Sequence, residues 1–255
     1  MDGRRLRYLQ AMGIQLWVPR AAPAPPAPAA PPETPGPVET PPPPAPEATA
    51  GGEAAWERLR AEVLGCTRCG LCERRTQAVF GVGDRQASWL VVGEGPGADE
   101  DRLGEPFVGR AGRLLDEMLR AIGLERGEGV YIANVVKCRP PQNRDPRPEE
   151  VAACLPYLHR QIALLRPRLI LAVGRIAAQH LLHTDRPLAA LRRRIWRLEA
   201  PADLPAGEGP PSGVAVVVTY HPAYLLRSPQ DKRKAWEDLL FARWVLRERE
   251  GGEGP

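Results

Sequence analysis

No stretch of the 255-residue chain approaches the ~18 consecutive apolar residues that a membrane-spanning helix needs. The N-terminus, MDGRRLRYLQ, lacks the continuous apolar core of a secretory signal. Charge is not lopsided either. A formal net charge of +4 permits nucleic-acid binding through a local patch but does not by itself point to it. With neither leader nor span, a cytoplasmic protein is expected, and because that compartment keeps thiols reduced, the five cysteines are not read as disulfides. Phenylalanine and histidine are scarce, at three and four residues, so each one that falls in a polar loop stands out.

What proline the chain has is unevenly spread. Residues 21–50 hold 13 of the 30 prolines, in the run AAPAPPAPAAPPETPGPVETPPPPAPEATA, which has no aromatic and almost no branched apolar side chain. Such a segment cannot bury enough surface to offset its ordering entropy, so 21–53 is expected to be a disordered, polyproline-like linker. Fully extended at ~3.1 Å per residue, thirty such residues would reach roughly 90 Å. The folded part is expected over 54–247, enough for one domain around a single core, with 248–255 as a disordered tail.

Within that part apolar runs alternate between two periods. SWLVVGE (88–94), VYIANVV (130–136), RLILAVG (168–174) and VAVVVTY (214–220) read as buried strands. AAWERLRAEVLG, AGRLLDEMLRAIGL (111–124), PEEVAACLPYLHRQIALL (148–165), IAAQHLL and DKRKAWEDLLFARWVL (231–246) have helical spacing. The alternation predicts a three-layer α/β/α sandwich around a mostly parallel four-stranded sheet. Active sites of such folds lie beyond the carboxyl ends of the strands. Chemistry is therefore to be sought in GEGPGADEDRLGEPFVGR, KCRPPQNRDPRP and HPAYLLRSP, the polar segments that follow strands.

Cys66 and Cys69 form a C-x2-C pair; 68 residues intervene before Cys138, and 15 separate Cys138 from Cys154. Four ligands so arranged suit a structural zinc or a [4Fe-4S] cluster alike. Cys138 and Cys154 taken alone could equally be buried, unreactive thiols. Cys72 extends the pair to C-x2-C-x2-C, so spacing does not decide among the three.

In order along the chain stand CTRC, GEGPGADEDRLGEPFVGRAG, VYIANVVKCRPPQNRDP, AAC and HPAYLLR. Together these resemble the family 4 uracil-DNA glycosylases, the [4Fe-4S] enzymes of the uracil-DNA glycosylase superfamily, over about residues 55–246. The resemblance implies a base-excision-repair enzyme that flips uracil out of DNA and hydrolyses its N-glycosidic bond, leaving an abasic site. It implies that Cys66, Cys69, Cys138 and Cys154 hold a structural [4Fe-4S] cluster, with Cys72 at a position the family does not require. A monomer fits a chain that must surround one flipped nucleotide. Relatives that trap uracil-DNA covalently carry a KRRIH-type loop and a GEQPG motif, and neither occurs here.

Uracil is planar, with a donor and acceptors along its edge, so selecting it requires an aromatic platform and placed amide and imidazole partners. By the resemblance Phe107 stacks on the base, the Asn134 amide reads its edge, and His221 hydrogen-bonds the O2 on which charge accumulates as the bond breaks. Read without the family, Asn134 would be a strand-end cap. Glu94 and Gly95 open the first motif, where the superfamily handles its water; better-known relatives carry aspartate at the place of Gly95. Glu94 is the first choice of water activator, and Glu100 and Asp101 follow it. Tyr224, Leu225, Leu226 and Arg227 are expected to meet DNA, the leucines either wedging into the duplex or starting a helix that faces the core. Arg139, Arg144 and Lys232 are plausible phosphate contacts.

Ahead of the linker, residues 1–20 read as an amphipathic docking peptide, with Leu6, Leu9, Met12, Ile14 and Trp17 at roughly helical spacing. YLQAMGIQLW is similar to the N-terminal peptide of the psi subunit of bacterial DNA polymerase III. The similarity implies that residues 4–20 attach the enzyme to a protein of the replication machinery.

Overall fold

The computed structural model describes residues 50–199 and 213–250. The expected docking peptide and most of the linker lie outside the described residues. The first helix, α1 (Ala50–Leu64), begins inside the stretch expected to be linker.

Four five-residue strands form the centre of the sheet: β2 (Trp89–Gly93), β3 (Val130–Asn134), β4 (Leu169–Val173) and β6 (Ala215–Thr219). Each is buried at every position, as a strand covered on both faces must be. Two-residue strands β1 (Val82–Gly83) and β5 (Trp196–Arg197) add antiparallel edges, giving the order β1-β3-β2-β4-β6-β5. The sheet thus has six strands rather than the expected four. Its four central strands are parallel, and two-residue edges are too short to show a period of their own.

The remaining helices are α2 (Ala98–Leu103), α3 (Arg110–Ala121), α4 (Pro148–Leu165), α5 (Arg175–Leu181), α6 (Leu188–Leu191), α7 (Pro222–Arg227) and α8 (Lys232–Glu250). Alternate side chains of each strand feed two separate cores. Leu90, Val92, Ile170, Val216 and Val218 pack with Leu59 of α1 and Leu158 and Ile162 of α4. Val91, Ile132, Leu171 and Val217 pack with Leu115 and Met118 of α3 and Leu239 of α8. The result is the three-layer sandwich expected from the alternating periods. Leaving β2, the chain turns first to β3 through α3, then back past β2 to β4 through α4 on the opposite face. The reversal opens a crevice at the carboxyl ends of the strands. The closing helix runs to Glu250, into the expected tail, because the charged segment after its last packed turn is rich in helix formers.

Candidate active site

Three strand ends deliver the principal residues to one cleft. Glu94 follows β2, Asn134 ends β3, and His221 follows β6 after one residue. The cleft encloses about 440 Å³ and is lined by these three with Gly95, Phe107 and Asp145, among others. Parallel register sets Gly93 beside Asn134, and a Cβ on Gly93 would sit 2.4 Å from Asn134 Oδ1 and 2.5 Å from the Phe107 ring. Only glycine lets the amide and the aromatic ring approach this closely.

Phe107 adopts a left-handed φ of 56°, a conformation costly for a bulky residue unless its surroundings enforce it. They do so from three sides. Arg126 donates to the carbonyls of Pro106 (3.0 Å) and Phe107 (2.7 Å). The Glu100 carboxylate accepts from the backbone N–H groups of Gly97, Val108 and Gly109 at 3.0–3.1 Å. Gly112 leaves room where a Cβ would stand 1.7 Å from the Phe107 carbonyl oxygen. The ring then lies 5.6 Å from that of His221, inclined by 29°.

Asn134 is 2 % exposed, and its Oδ1 has no hydrogen-bond partner, an uncommon state for a buried amide oxygen. Its backbone, in contrast, is anchored. Lys137, buried, donates through Nζ to the Asn134 carbonyl (2.9 Å) and to Gln161 Oε1 (2.6 Å), while Gln161 Nε2 reaches the Phe80 carbonyl (3.0 Å). The Asn134 backbone is thus held in place, while its side-chain acceptor stays buried and without a partner.

His221 caps α7. Its Nδ1 accepts from the Ala223 N–H at 3.1 Å, which assigns the ring proton to Nε2 in the neutral imidazole. Burial, reinforced by the nearby Arg227 cation and opposed by Glu100, lowers its pKa to about 4. The strand end before it is fixed by a buried pair in which Arg192 Nε donates to Asp238 Oδ2 (2.6 Å). Arg192 also lies over the Tyr220 ring, and the Thr219 hydroxyl donates to the same carboxylate (2.9 Å).

Burial, then the neighbouring Asp145 carboxylate, raises Glu94 to about 7, against the opposing pull of Arg175. No hydrogen bond or ion pair engages the Glu94 carboxylate among the described residues. The two runners-up are occupied: Glu100 holds the Phe107 loop, and Asp101 accepts the Thr76 N–H at 2.9 and 3.1 Å. A Cβ on Gly95 would lie 2.6 Å from a Val136 methyl, so the aspartate of other relatives would not enter without a shift.

The α7 residues divide. Tyr224 and Arg227 line the cleft, and the Tyr224 hydroxyl donates to Asp231 Oδ2 (2.5 Å). Leu225 is fully buried in the core with Leu239 and therefore cannot wedge into DNA; its place in the expected DNA-contact set is corrected. Leu226 is exposed. Arg144 spends its fork on Glu150 (2.6 and 2.8 Å), and Arg139 donates to Asn143 Oδ1 (2.8 Å).

All five cysteines line one small cavity between α1, the turn Gly70–Glu73, the segment after β3 and α4. Donors point at its sulfurs: Arg75 Nη1 at Cys138 Sγ (2.9 Å), the Lys137 N–H at Cys154 Sγ (3.2 Å) and the Arg68 N–H at Cys66 Sγ (3.5 Å). Burial pushes the Cys154 thiol up to about 12 and those of Cys69 and Cys138 upward. Among the described residues no three His, Cys, Asp or Glu side chains meet closely enough for one metal ion. Thiols gathered around one cavity and supplied with N–H donors are the donor set of a sulfur-held metal centre.

Sequence reasoning missed Arg126, Lys137 and Gln161, the residues that hold Phe107 and Asn134 in place. Lys137 beside Cys138, and Arg126 between Glu125 and Gly127, carry no signal in the sequence of what they hold, and only the fold shows where they point.

Residues 80–240 match the family model of the uracil DNA glycosylase superfamily. The chain is 46 % identical over 182 residues to a type-4 uracil-DNA glycosylase of Archaeoglobus fulgidus, covering 70 % of this chain and 86 % of that protein. It is 44 % identical to one of Pyrobaculum aerophilum (72 % and 91 % covered) and 41 % identical to one of Thermotoga maritima (76 % and 96 %). With nearly the whole of each relative matched, the chain belongs to the type-4 uracil-DNA glycosylases of the uracil-DNA glycosylase superfamily.

Proposed function

We infer that the cleft takes a uracil flipped out of DNA and hydrolyses its N-glycosidic bond. The observation that carries this reading is the buried, unpartnered Asn134 Oδ1, held beside an aromatic platform and a neutral imidazole donor. Phe107 offers a face for stacking, and the Asn134 amide, acceptor and donor together, complements N3–H and O4 of uracil. His221 presents Nε2–H to O2. As the glycosidic bond lengthens, negative charge gathers on the base and this donor stabilises it without a proton having to move. The sugar becomes oxocarbenium-like, and Glu94, ionised above about pH 7, holds and deprotonates the attacking water at its far face.

The cavity of thiols supports the reading that Cys66, Cys69, Cys138 and Cys154 hold a [4Fe-4S] cluster, with Cys72 beside it as a fifth thiol. The cluster supplies a cross-link between α1 and the segment after β3, and no step of the hydrolysis. Residues 4–20 are proposed to dock on a replication protein, and the enzyme to act as a monomer on DNA. No helix among the described residues is long and apolar enough to cross a membrane.

The test is a labelled oligonucleotide with one uracil, treated with alkali after incubation with wild type, His221→Ala or Phe107→Ala. Strand cleavage at the uracil is expected, reduced by about 10²–10³-fold when His221 is lost. Intact DNA that is nonetheless bound would point to a non-catalytic binder.

A further inference from the structure

Beside the active cleft lies a second, open groove of about 510 Å³, lined by Arg110, Arg113, Arg120, Leu226 and Lys232 among others. The two clefts share a wall. Ala111 of α3 and Ala223, Tyr224 and Arg227 of α7 face the active cleft, while Arg110, Arg113 and Leu226 from the same helices face the groove. Leu226, 36 % exposed next to the fully buried Leu225, projects from that wall on the groove side.

The groove carries surplus positive charge. Its two carboxylates are already engaged, Asp116 by Arg126 from outside the groove and Glu117 by Arg120, both at 2.9 Å. Among the described residues no ion pair holds Arg110, Arg113 or Lys232. From Arg110 to Arg120 the helix advances ~15 Å at ~1.5 Å per residue, the length of about four nucleotides of one strand at ~3.4 Å each.

Flipping divides the duplex at the lesion. The uracil nucleotide leaves for the active cleft, and an apolar side chain filling the vacated place meets the orphaned base of the other strand. A wall with the uracil site on one side and an exposed leucine on the other puts the second strand beyond that leucine. We propose that the groove between α3 and the start of α8 seats the phosphodiester backbone of the strand opposite the uracil. Arg110, Arg113 and Lys232 contact its phosphates. The proposal rests on the reading of the cleft as a uracil site and extends it to substrate form. Single-stranded DNA fills the cleft and leaves the groove empty, so the groove's contribution is specific to duplex.

The experiment uses the full-length protein and the double variant Arg113→Ala/Lys232→Ala, whose helical positions accept alanine without loss of helix. Oligonucleotides with one uracil, single-stranded or paired opposite guanine, are assayed for kcat/KM between ~50 and ~200 mM salt. Duplex kcat/KM is expected to fall about tenfold or more, with its log–log salt slope shallower by about 2, while the single-stranded value stays within about twofold. Equal losses on both substrates would assign the groove to the uracil strand, and unchanged values on both would remove it from the DNA surface; either result overturns the proposal. Fluorescence anisotropy on the same oligonucleotides separates the two readings. A wild type that binds but excises nothing sinks the glycosylase reading, and the variant's ratio of duplex to single-strand binding still decides the groove.

Discussion

One cause, burial, pushes the two ionisable groups of the cleft in opposite directions, raising Glu94 to about 7 and lowering His221 to about 4. Near neutral pH the pair therefore offers a carboxylate for water and an uncharged imidazole for the leaving base. The acid limb of kcat/KM is expected at about pH 7 and belongs to Glu94. In Glu94→Gln that limb disappears and the plateau drops about 10²–10⁴-fold. Stability carries the same signature. The folded protein holds the Glu94 proton more tightly than the unfolded chain, so between the ordinary carboxyl value of 4.5 and about 7 stability falls as pH rises. Glu94→Gln is thus expected to melt above wild type at pH 8, with the gap closing at pH 5. Melting curves and pH–rate profiles of the two proteins check both statements. At this scale the family resemblance singled out Glu94, Phe107, Asn134 and His221, and the fold brings all four to one cleft; the roles given to them remain proposals. The burial of Leu225 was not legible, because two adjacent leucines look alike until a six-residue helix buries one and exposes the other.

The shape of the loop that carries Phe107 is a property of elements rather than of single side chains. The Phe107 loop keeps its left-handed backbone because Glu100 from α2, Arg126 from beyond α3 and the third residue of α3, Gly112, all press on it. Gly112→Ala would drive a methyl into the Phe107 carbonyl, costing about 1–3 kcal/mol of stability. Because the displaced group is the stacking platform, KM for uracil-DNA is expected to rise about tenfold or more, beyond what reduced folding explains. A variant with unchanged KM and a lowered Tm would show that the loop tolerates the methyl. The four central strands and most helices were legible from their periods. The edge strands and the reach of α1 and α8 beyond the expected bounds were not, since short ladders and exposed helix ends leave no apolar rhythm in the sequence.

Across the whole molecule, the thiol cavity and the active cleft meet through one short segment. Asn134 ends β3, Lys137 reaches back to its carbonyl, and Cys138 follows immediately. The cysteine spacing alone left zinc and iron–sulfur equally open, and the structure adds that all five thiols line one cavity. If the proposed [4Fe-4S] cluster is bound, the purified protein is brown; Cys138→Ser is expected to lose that colour and to melt lower by about 8 °C or more, whereas Cys72→Ser keeps the colour and the Tm. Loss of colour in Cys72→Ser would reassign the ligands. The central claim is that this cleft selects and releases uracil, and mass spectrometry of the bases set free from matched duplexes carrying uracil, thymine or cytosine tests it most directly. Free uracil from the first duplex alone is the predicted result. No released uracil, or equal release of thymine and cytosine, would contradict it.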